Sequence, residues 1–362
     1  MTSALPTTTS EVTAPWMTEA LRGSGVIPPD VSVGEVILDP AGAGLGFMGE
    51  VTTVGLVYDG DAGDAPTTVV AKFPTQSPEI RAMMHPTRIY EREHRFYREL
   101  ADETPLRTPA IYHVTCNPAP EPADEQYLIL MEDLSALTLG DQVAGASADQ
   151  AATALAGLGA HHARFWNGAG LESADFIPVI NGPLNQAGGP IYEASLPGFM
   201  EAFGNEVKPE LETFVSGYAA QRPRILDELG AMPHTLVHFD FRADNLFFDN
   251  GSVAVIDWQA ISQGGGAADV GYFLTQNLNT EERRANEADL LKVYHDALVA
   301  GGVTGYDMDA LRRDYRVGIE CGWIIPVLAV GSLDFTSERA IALWTEVIGR
   351  TQAALIDHEL QT

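Results

Sequence analysis

One part of this chain restricts its fold and chemistry more than any other. Residues 238–245 read His-Phe-Asp-Phe-Arg-Ala-Asp-Asn, and residues 253–259 read Val-Ala-Val-Ile-Asp-Trp-Gln. Between them, Asp249-Asn250-Gly251 is a strong turn signal, so the apolar runs on either side predict a β-hairpin. The hairpin leaves three polar side chains on short loops at its ends, namely Asp240, Asn245 and Asp257.

These three side chains match the requirements of phosphoryl transfer from ATP. The reaction needs a carboxylate that orients the attacking hydroxyl and accepts its proton. It also needs a carboxamide and a second carboxylate to hold the Mg²⁺ that neutralises the phosphates. Asp240, Asn245 and Asp257 supply these groups in that order. A plain hairpin with polar turns does not require His-x-Asp-x-x-x-x-Asn before it, so the pattern favours a catalytic role.

The same pattern, followed by Ile-Asp-Trp-Gln, resembles the aminoglycoside phosphotransferase and choline kinase superfamily, and its Asp-Trp-Gln ending is most similar to the ecdysteroid-kinase-like branch. The resemblance implies an α+β, two-lobed protein-kinase-like (aminoglycoside phosphotransferase-like) fold. Residues 1–131 would form a strand-rich N-lobe and residues 132–362 a helical C-lobe, with ATP between them. Protein kinases carry Asp-Phe-Gly where this chain has residues 257–259, so a protein kinase is not expected.

A glycine motif, Gly44-x-Gly46-x-x-Gly49, lies between two predicted strands at residues 33–38 and 51–58. In a dinucleotide-binding fold this pattern opens a helix, but the residues that follow here are rich in β-branched side chains. The pattern therefore favours a loop between antiparallel strands that covers the ATP phosphates, where glycine permits close approach of the backbone.

A third strand, at residues 67–73, carries Lys72 in a Val-Val-Ala-Lys context that resembles the lysine-bearing strand of kinases. Lys72 is expected to bind the α- and β-phosphates of ATP. In the helix predicted over residues 87–100, Glu93 falls on the apolar stripe. Glu91 instead shares a face with Arg95 and Arg98 and is expected to lie on a solvated, salt-bridged surface. A buried carboxylate needs a partner, so the periodicity predicts that Glu93 pairs with Lys72.

Two further strands are predicted at residues 111–116 and 127–131, and Glu132-Asp133-Leu134 follows them. By resemblance this tripeptide is the hinge between the lobes, and backbone groups near Glu132 and Leu134 would contact adenine. A plain strand end is the alternative interpretation.

The remainder of the chain predicts mainly helices. Residues 181–200 are rich in Gly, Pro and Asn and are expected to be irregular. Asp269 is expected to cap the next helix and anchor the catalytic loop, and His238 to hydrogen-bond that loop as a scaffold. The predicted helices cover residues 148–166, 199–218, 279–301, 307–329 and 337–358.

Composition narrows the range of partners and locations. The formal net charge is −29, which repels nucleic acid and anionic membranes, so neither is expected as a partner. This acidity fits either a saline habitat or a bias toward solubility. Cys116 and Cys321 lie far apart without a zinc-binding pattern, and no signal peptide is visible, so a cytoplasmic protein with free thiols is expected. Residues 1–15, rich in Thr, Ser and Pro, predict a mobile segment.

The acceptor remains open between two classes. The apolar stretch 323–328 favours a bulky, weakly charged alcohol if part of it reaches the cleft. The many acidic residues would instead suit a polycationic aminoglycoside. A nucleotide-binding homologue without activity is a third possibility, although no catalytic position is lost. Oligomeric state is not predicted.

Overall fold

The computed structural model of this chain describes residues 5–39, 49–332 and 337–361. These residues form two compact units: one runs up to Asp102 and includes Thr108–Ala136, and the other combines Glu103–Arg107 with the residues from Leu137 onward. The first unit contains a five-stranded antiparallel sheet, and the second is mainly helical. The predicted α+β class is therefore confirmed. The lobe boundary at residues 131 and 132 stays a prediction.

The sheet of the first unit is antiparallel throughout, in the order β1-β2-β3-β5-β4. Its strands are β1 (Ser32–Asp39), β2 (Gly49–Asp59), β3 (Thr68–Pro74), β4 (Ile111–Asn117) and β5 (Gln126–Glu132). Side chains alternate between the faces of a strand, and in β3 the residues Val69, Ala71 and Phe73 enter the hydrophobic core. Lys72 therefore projects from the opposite face of the sheet.

The first unit also contains three helices, α1 (Ala14–Gly23), α2 (Pro78–Met84) and α3 (Ile89–Glu99). The mobility expected of residues 1–15 stays a prediction, although residues 5–15 include a 3₁₀ turn at Thr9–Glu11 and the buried Val12. Thr13 accepts a hydrogen bond from the backbone of Trp16 and so caps α1. Composition alone missed this helix, because its stability comes from burying one apolar face in the core that the sheet also fills.

Short strands of the second unit present the predicted catalytic loop. They are β6 (Thr138–Leu139), β7 (His234–Val237), β8 (Leu246–Asp249), β9 (Ser252–Val255) and β10 (Ser262–Gly265). β8 and β9 form the predicted hairpin, with Leu246 opposite Val255. Asn250 and Gly251 in its turn have φ of 39° and 91°, the left-handed conformation that a tight hairpin turn requires.

Nine helices are described in the second unit: α4 (Ala148–Arg164), α5 (Pro183–Gln186), α6 (Gly188–Phe203), α7 (Glu212–Ala231), α8 (Ala267–Asn277), α9 (Thr280–Ala300), α10 (Met308–Gly322), α11 (Ile324–Ser332) and α12 (Glu338–Asp357). The irregular segment predicted at 181–200 is wrong, and so is the helix predicted at 199–218. Tyr192 and Phe199 of α6 are fully buried, and Phe199 packs edge-on against the ring of Trp323. Tertiary burial here outweighs the weak helix propensity of Gly and Pro.

The helix predicted over 307–329 is divided at Trp323. Pro326 has no backbone N–H, so it cannot donate to the carbonyl of Gly322 as an uninterrupted helix would require. The Gln276 side chain donates to that carbonyl instead, with Nε2 2.8 Å from the oxygen. The break is thus compensated by a neighbouring helix.

Candidate active site

The loop after β7 is anchored by a buried carboxylate. Asp269, in the first turn of α8, accepts the backbone N–H of His238 on Oδ2 and that of Phe239 on Oδ1, each at 2.7 Å. Phe239 has φ of 64°, a left-handed conformation that is unfavourable for a bulky side chain. The predicted anchoring role of Asp269 is confirmed. Its predicted capping role is wrong, because Gly266 occupies the N-cap and Asp269 lies inside the helix.

The carboxylate of Asp240 is held from both sides. The Tyr272 hydroxyl donates to Oδ1 at 3.0 Å, and Asn245 Nδ2 donates to Oδ2 at 3.0 Å. Asn245 Nδ2 also donates to the backbone carbonyl of Asp240 at 2.9 Å, which closes the loop on itself. Arg242 Nε lies 3.4 Å from the same carboxylate. The Asp240 side chain nevertheless stays 24% exposed, so a reactant can reach it.

The electrostatic surroundings of Asp240 suit a proton acceptor. Burial raises the pKa of its carboxyl above the ordinary value, the guanidinium of Arg242 opposes this rise, and the charge of Asp257 adds to it. A carboxylate with a raised pKa binds a proton more readily than an ordinary Asp. It can therefore act as a better general base, provided that it is ionised at the working pH.

Asn245 and Asp257 emerge from the same end of the hairpin. The backbone N–H of Ile256 donates to the carbonyl of Asn245 at 3.1 Å, which extends the β8–β9 pairing by one step beyond Leu246 and Val255. Asp257 follows directly with φ of 67°, and Gln259 Nε2 lies 3.3 Å from its Oδ2. This left-handed bend takes the Asp257 side chain out of the pattern in which successive side chains of β9 alternate between the two faces of the sheet.

These two residues fit a magnesium ion. Asn245 uses Nδ2 to hold Asp240, so its Oδ1 is the acceptor side of the amide. Mg²⁺ takes oxygen ligands and is commonly held by one or two carboxylates together with substrate phosphates. Within the described residues no three His, Cys, Asp or Glu side chains form a metal-binding group. The donor set fits an ion that arrives with a nucleotide rather than one held by a protein cage.

His238 and Trp258 make the scaffold beneath this site. His238 Nε2 lies 3.0 Å from the carbonyl of Ile256, which can only accept, so the proton resides on Nε2. Nδ1 is then the acceptor for the backbone N–H of Asp240, 3.3 Å away. Trp258 is fully buried, its indole N–H donates to Val255, and its ring packs against His238. The predicted scaffold role of His238 is confirmed.

In the first unit, Lys72 Nζ donates to Glu93 Oε1 at 2.7 Å. The side chain of Glu93 is 1% exposed and that of Lys72 is 15% exposed. The predicted pairing is therefore confirmed. The salt bridge expected between Glu91 and Arg95 is confirmed at 3.5 Å, and Arg88 pairs with Glu91 at 2.6 Å. The expectation that Glu91 is solvated is wrong, because its side chain is buried. Its polar face is covered by arginine side chains, which helical periodicity cannot show.

The other predicted nucleotide contacts lie in the first unit or outside the described residues. Gly44 and Gly46 are outside them. Gly49 begins β2, and a Cβ there would lie 2.5 Å from the carbonyl of Phe73, so strand packing alone requires glycine. Glu132 ends β5 and accepts the backbone N–H of Ala110 at 3.0 Å, and Leu134 is buried. Roles in binding ATP remain predictions for all of these residues.

Sequence reasoning missed Tyr272 and Arg242, two residues that contact Asp240. Arg242 lies within the motif itself, between Asp240 and Asn245. Tyr272 follows Asp269 by three positions, so one helical turn places both on the same face of α8. The combination of an anchoring Asp with a hydroxyl one turn later was the available signal.

Fold and site together define a small-molecule phosphotransferase related to kinases. The sequence profile of the ecdysteroid kinase-like family matches residues 43–301, and the chain belongs to this family. It is thus a kinase, which phosphorylates a hydroxyl group, and its fold is that of aminoglycoside phosphotransferases and choline kinases. No match was found among curated protein sequences.

Solved structures share the fold at low sequence identity. A mutant aminoglycoside 2′-phosphotransferase-IIIa in complex with GDP is 13% identical, with 91% of this chain and 95% of that chain covered and a TM-score of 0.54. Choline kinase from Cryptosporidium parvum Iowa II is 12% identical, with 94% and 96% covered and a TM-score of 0.54. Amicoumacin kinase hAmiN, in complex with AMP-PNP, Ca²⁺ and Ami, is 10% identical, with 92% of each chain covered and a TM-score of 0.52.

Among the described residues, no helix combines the length and apolar character that crossing a bilayer demands.

Proposed function

We propose that this chain transfers the γ-phosphoryl group of ATP, in the presence of Mg²⁺, to a hydroxyl group of a small molecule. The observation that carries the proposal is the held carboxylate of Asp240, with Asn245 bound to it and Asp257 leaving the same end of the hairpin. This arrangement supplies a base and two oxygen ligands within one short stretch of structure. Phosphoryl transfer depends on positioning such groups rather than on covalent chemistry by the protein.

In the proposed reaction, Asp240 accepts the proton of the acceptor hydroxyl as its oxygen attacks the γ-phosphorus. A new oxygen–phosphorus bond forms, the bond from the γ-phosphorus to the bridging oxygen of ADP breaks, and ADP leaves with the bonding electron pair. The raised pKa of Asp240 improves proton uptake, and the charge of Arg242 opposes the rise and favours the ionised carboxylate. The proton must later pass to solvent, which the partial exposure of Asp240 permits.

The remaining predicted residues would bind the nucleotide. Mg²⁺, held by Asn245 and Asp257, would neutralise charge on the phosphates. Lys72, fixed by Glu93, would contact the α- and β-phosphates, because its ammonium is oriented by a buried carboxylate. The loop containing Gly44, Gly46 and Gly49 would cover the phosphates, and backbone groups near Glu132 and Leu134 would contact adenine.

For the acceptor we propose a bulky, weakly charged alcohol. Two acidic residues around the loop of the base already have arginine partners: Asp244 lies 3.1 Å from Arg242, and Arg339 lies 3.4 Å from Asp141 and 3.6 Å from Asp244. A polycationic acceptor would need converging carboxylates without such partners. The apolar stretch at 323–328 lends less support, because Trp323, Ile324 and Val327 are buried as core.

A cytoplasmic location is part of the same proposal. A kinase needs a supply of ATP, and the two cysteines, Cys116 and Cys321, are free thiols. The proposed binding partner is a small molecule rather than nucleic acid or an anionic membrane, both of which the net charge of −29 repels.

The test is an ATP-to-ADP turnover screen with Mg²⁺ against two matched sets of acceptors, apolar alcohols and kanamycin-like aminoglycosides. Asp240→Asn serves as the inactive control in both sets. We expect turnover with members of the alcohol set and phosphate incorporation into the product. Activity confined to the aminoglycosides would overturn the acceptor class only. Mg-ATP binding without turnover on any acceptor would instead indicate a nucleotide-binding protein that is not catalytic.

A further inference from the structure

We propose that Tyr272 is a positioning residue for Asp240, and that Gln142 holds Tyr272 and Arg242 in place around that carboxylate. This inference rests on the proposed function, in which Asp240 is the general base. It concerns residues outside the predicted set of catalytic and nucleotide-binding side chains.

Three side chains surround the carboxylate of Asp240 in addition to Asn245. Tyr272 donates to Asp240 Oδ1 at 3.0 Å, Arg242 Nε lies 3.4 Å from Oδ2, and Arg242 Nη1 donates to Gln142 Oε1 at 3.4 Å. Gln142 also lowers the pKa of the Tyr272 hydroxyl, as expected of an amide placed beside it. Tyr272 and Arg242 therefore both donate to Asp240, and Gln142 interacts with both donors.

Gln142 is itself fixed by its backbone. Its N–H donates to Asp244 Oδ1 at 2.8 Å, and its carbonyl accepts from Arg350 Nη1 at 2.6 Å. Both Gln142 and Arg350 are buried, and Arg350 comes from α12, far along the chain. Because its backbone is held at both ends, the side chain of Gln142 can orient two neighbours without drifting.

These contacts restrict the orientation of the Asp240 carboxylate. Tyr272 binds Oδ1 of Asp240 while Asn245 binds Oδ2, so the rotation of the carboxylate about its bond to Cβ is restricted. Asp269 and Tyr272 lie one turn apart on α8, so the same helix anchors both the loop backbone and the Asp240 side chain. A preorganised base needs this kind of second contact, since small errors in position are costly in rate.

Tyr272→Phe tests the inference because it removes one hydroxyl and keeps the ring. The assay is Mg-ATP turnover at limiting and saturating ATP, with the most active alcohol of the screen or, failing one, with water as acceptor. We expect kcat to fall about ten- to hundredfold with an unchanged KM for ATP, the scale of one lost hydrogen bond to a charged group. A general loss of structure would instead change both kcat and KM, so the split between the two constants identifies a positioning role.

Tyr315→Phe is the matched control. Tyr315 is likewise a buried tyrosine that donates to a carboxylate, Glu287, at 2.9 Å, in a different part of the second unit. It should lose stability as Tyr272→Phe does, with no change in kcat. Gln142→Ala should reproduce the fall in kcat at an unchanged KM for ATP, and combining it with Tyr272→Phe should give less than the product of the two single effects.

The outcomes separate this inference from the proposed function. An unchanged kcat in Tyr272→Phe, or strictly multiplicative effects in the double variant, would overturn the positioning role while an inactive Asp240→Asn left the base in place. Wild-type turnover by Asp240→Asn would remove the base itself. If Tyr272→Phe failed to fold, the kcat and the KM for ATP of Gln142→Ala would decide the matter.

Discussion

Replacing Asp269 by Asn should destabilise the second unit and slow turnover. The two oxygens of this fully buried carboxylate each accept one backbone N–H at 2.7 Å, from His238 and Phe239. An Asn side chain keeps one acceptor but turns an NH₂ group toward the other donor. The loss is one hydrogen bond to a charged group, about 1.5–3 kcal/mol. Phe239 holds a left-handed φ of 64°, so the freed loop can also relax away from its catalytic shape.

Thermal unfolding measures the effect. For a unit of this size about 1 kcal/mol corresponds to roughly 2–4 °C, so the Tm of Asp269→Asn should fall by about 3–12 °C. Asp307→Asn is the control, because Asp307 is an exposed N-cap that accepts from Ala310 at 2.8 Å, and Asn caps helices as well as Asp does. If the two variants unfolded at the same temperature, the anchoring argument for Asp269 would be refuted.

Four further predictions concern the site residues. Asp240→Asn should fold and bind Mg-ATP normally while turnover drops by about two to four orders of magnitude, the usual contribution of a positioned acid or base. In the wild type, kcat/KM should fall as the pH is lowered, with an apparent pKa above that of an ordinary Asp, because the base must be ionised. An apparent pKa at or below the ordinary value would contradict the raised pKa of Asp240. Calorimetric titration of Mg-ATP should show weaker binding for Asp257→Ala than for Asn245→Ala, since only Asp257→Ala removes a full charge. Asn245→Ala should also lower kcat, because it removes a hydrogen bond that holds the Asp240 carboxylate. Glu93→Gln should impair steady-state turnover by loosening Lys72, and Glu91→Gln should lower Tm with little effect on kcat; the reverse order would mean that the wrong glutamate has been assigned.

Patterns with a short period were enough to predict much of the first unit. Alternating β-branched residues indicated its five strands, and helical periodicity selected Glu93 as the partner of Lys72. Such signals succeed because each residue's neighbour on the same strand or helix face is two to four positions away. The burial of Glu91 escaped prediction, because its environment depends on how two arginine side chains fold over it.

In the second unit, predictions failed where distant segments decide the conformation. Residues 188–203 form a helix despite their Gly and Pro content, because Tyr192 and Phe199 are buried against other helices. The break after Gly322 could be placed by Pro326, but the donor that satisfies the Gly322 carbonyl is Gln276, 46 positions away. Propensity reports only local preference, and burial of apolar area overrides it.

The sequence by itself determined the chemistry available at the site, since Asp240, Asn245 and Asp257 are recognisable from their types and spacing. Only the tertiary structure decided how the base is held. Tyr272 lies 32 positions from Asp240 along the chain, yet its hydroxyl is 3.0 Å from the carboxylate. Hydrogen bonds act over a few ångströms, so which side chains meet is set by the packing of helices and loops, and a motif records only the residues that chain connectivity already keeps close.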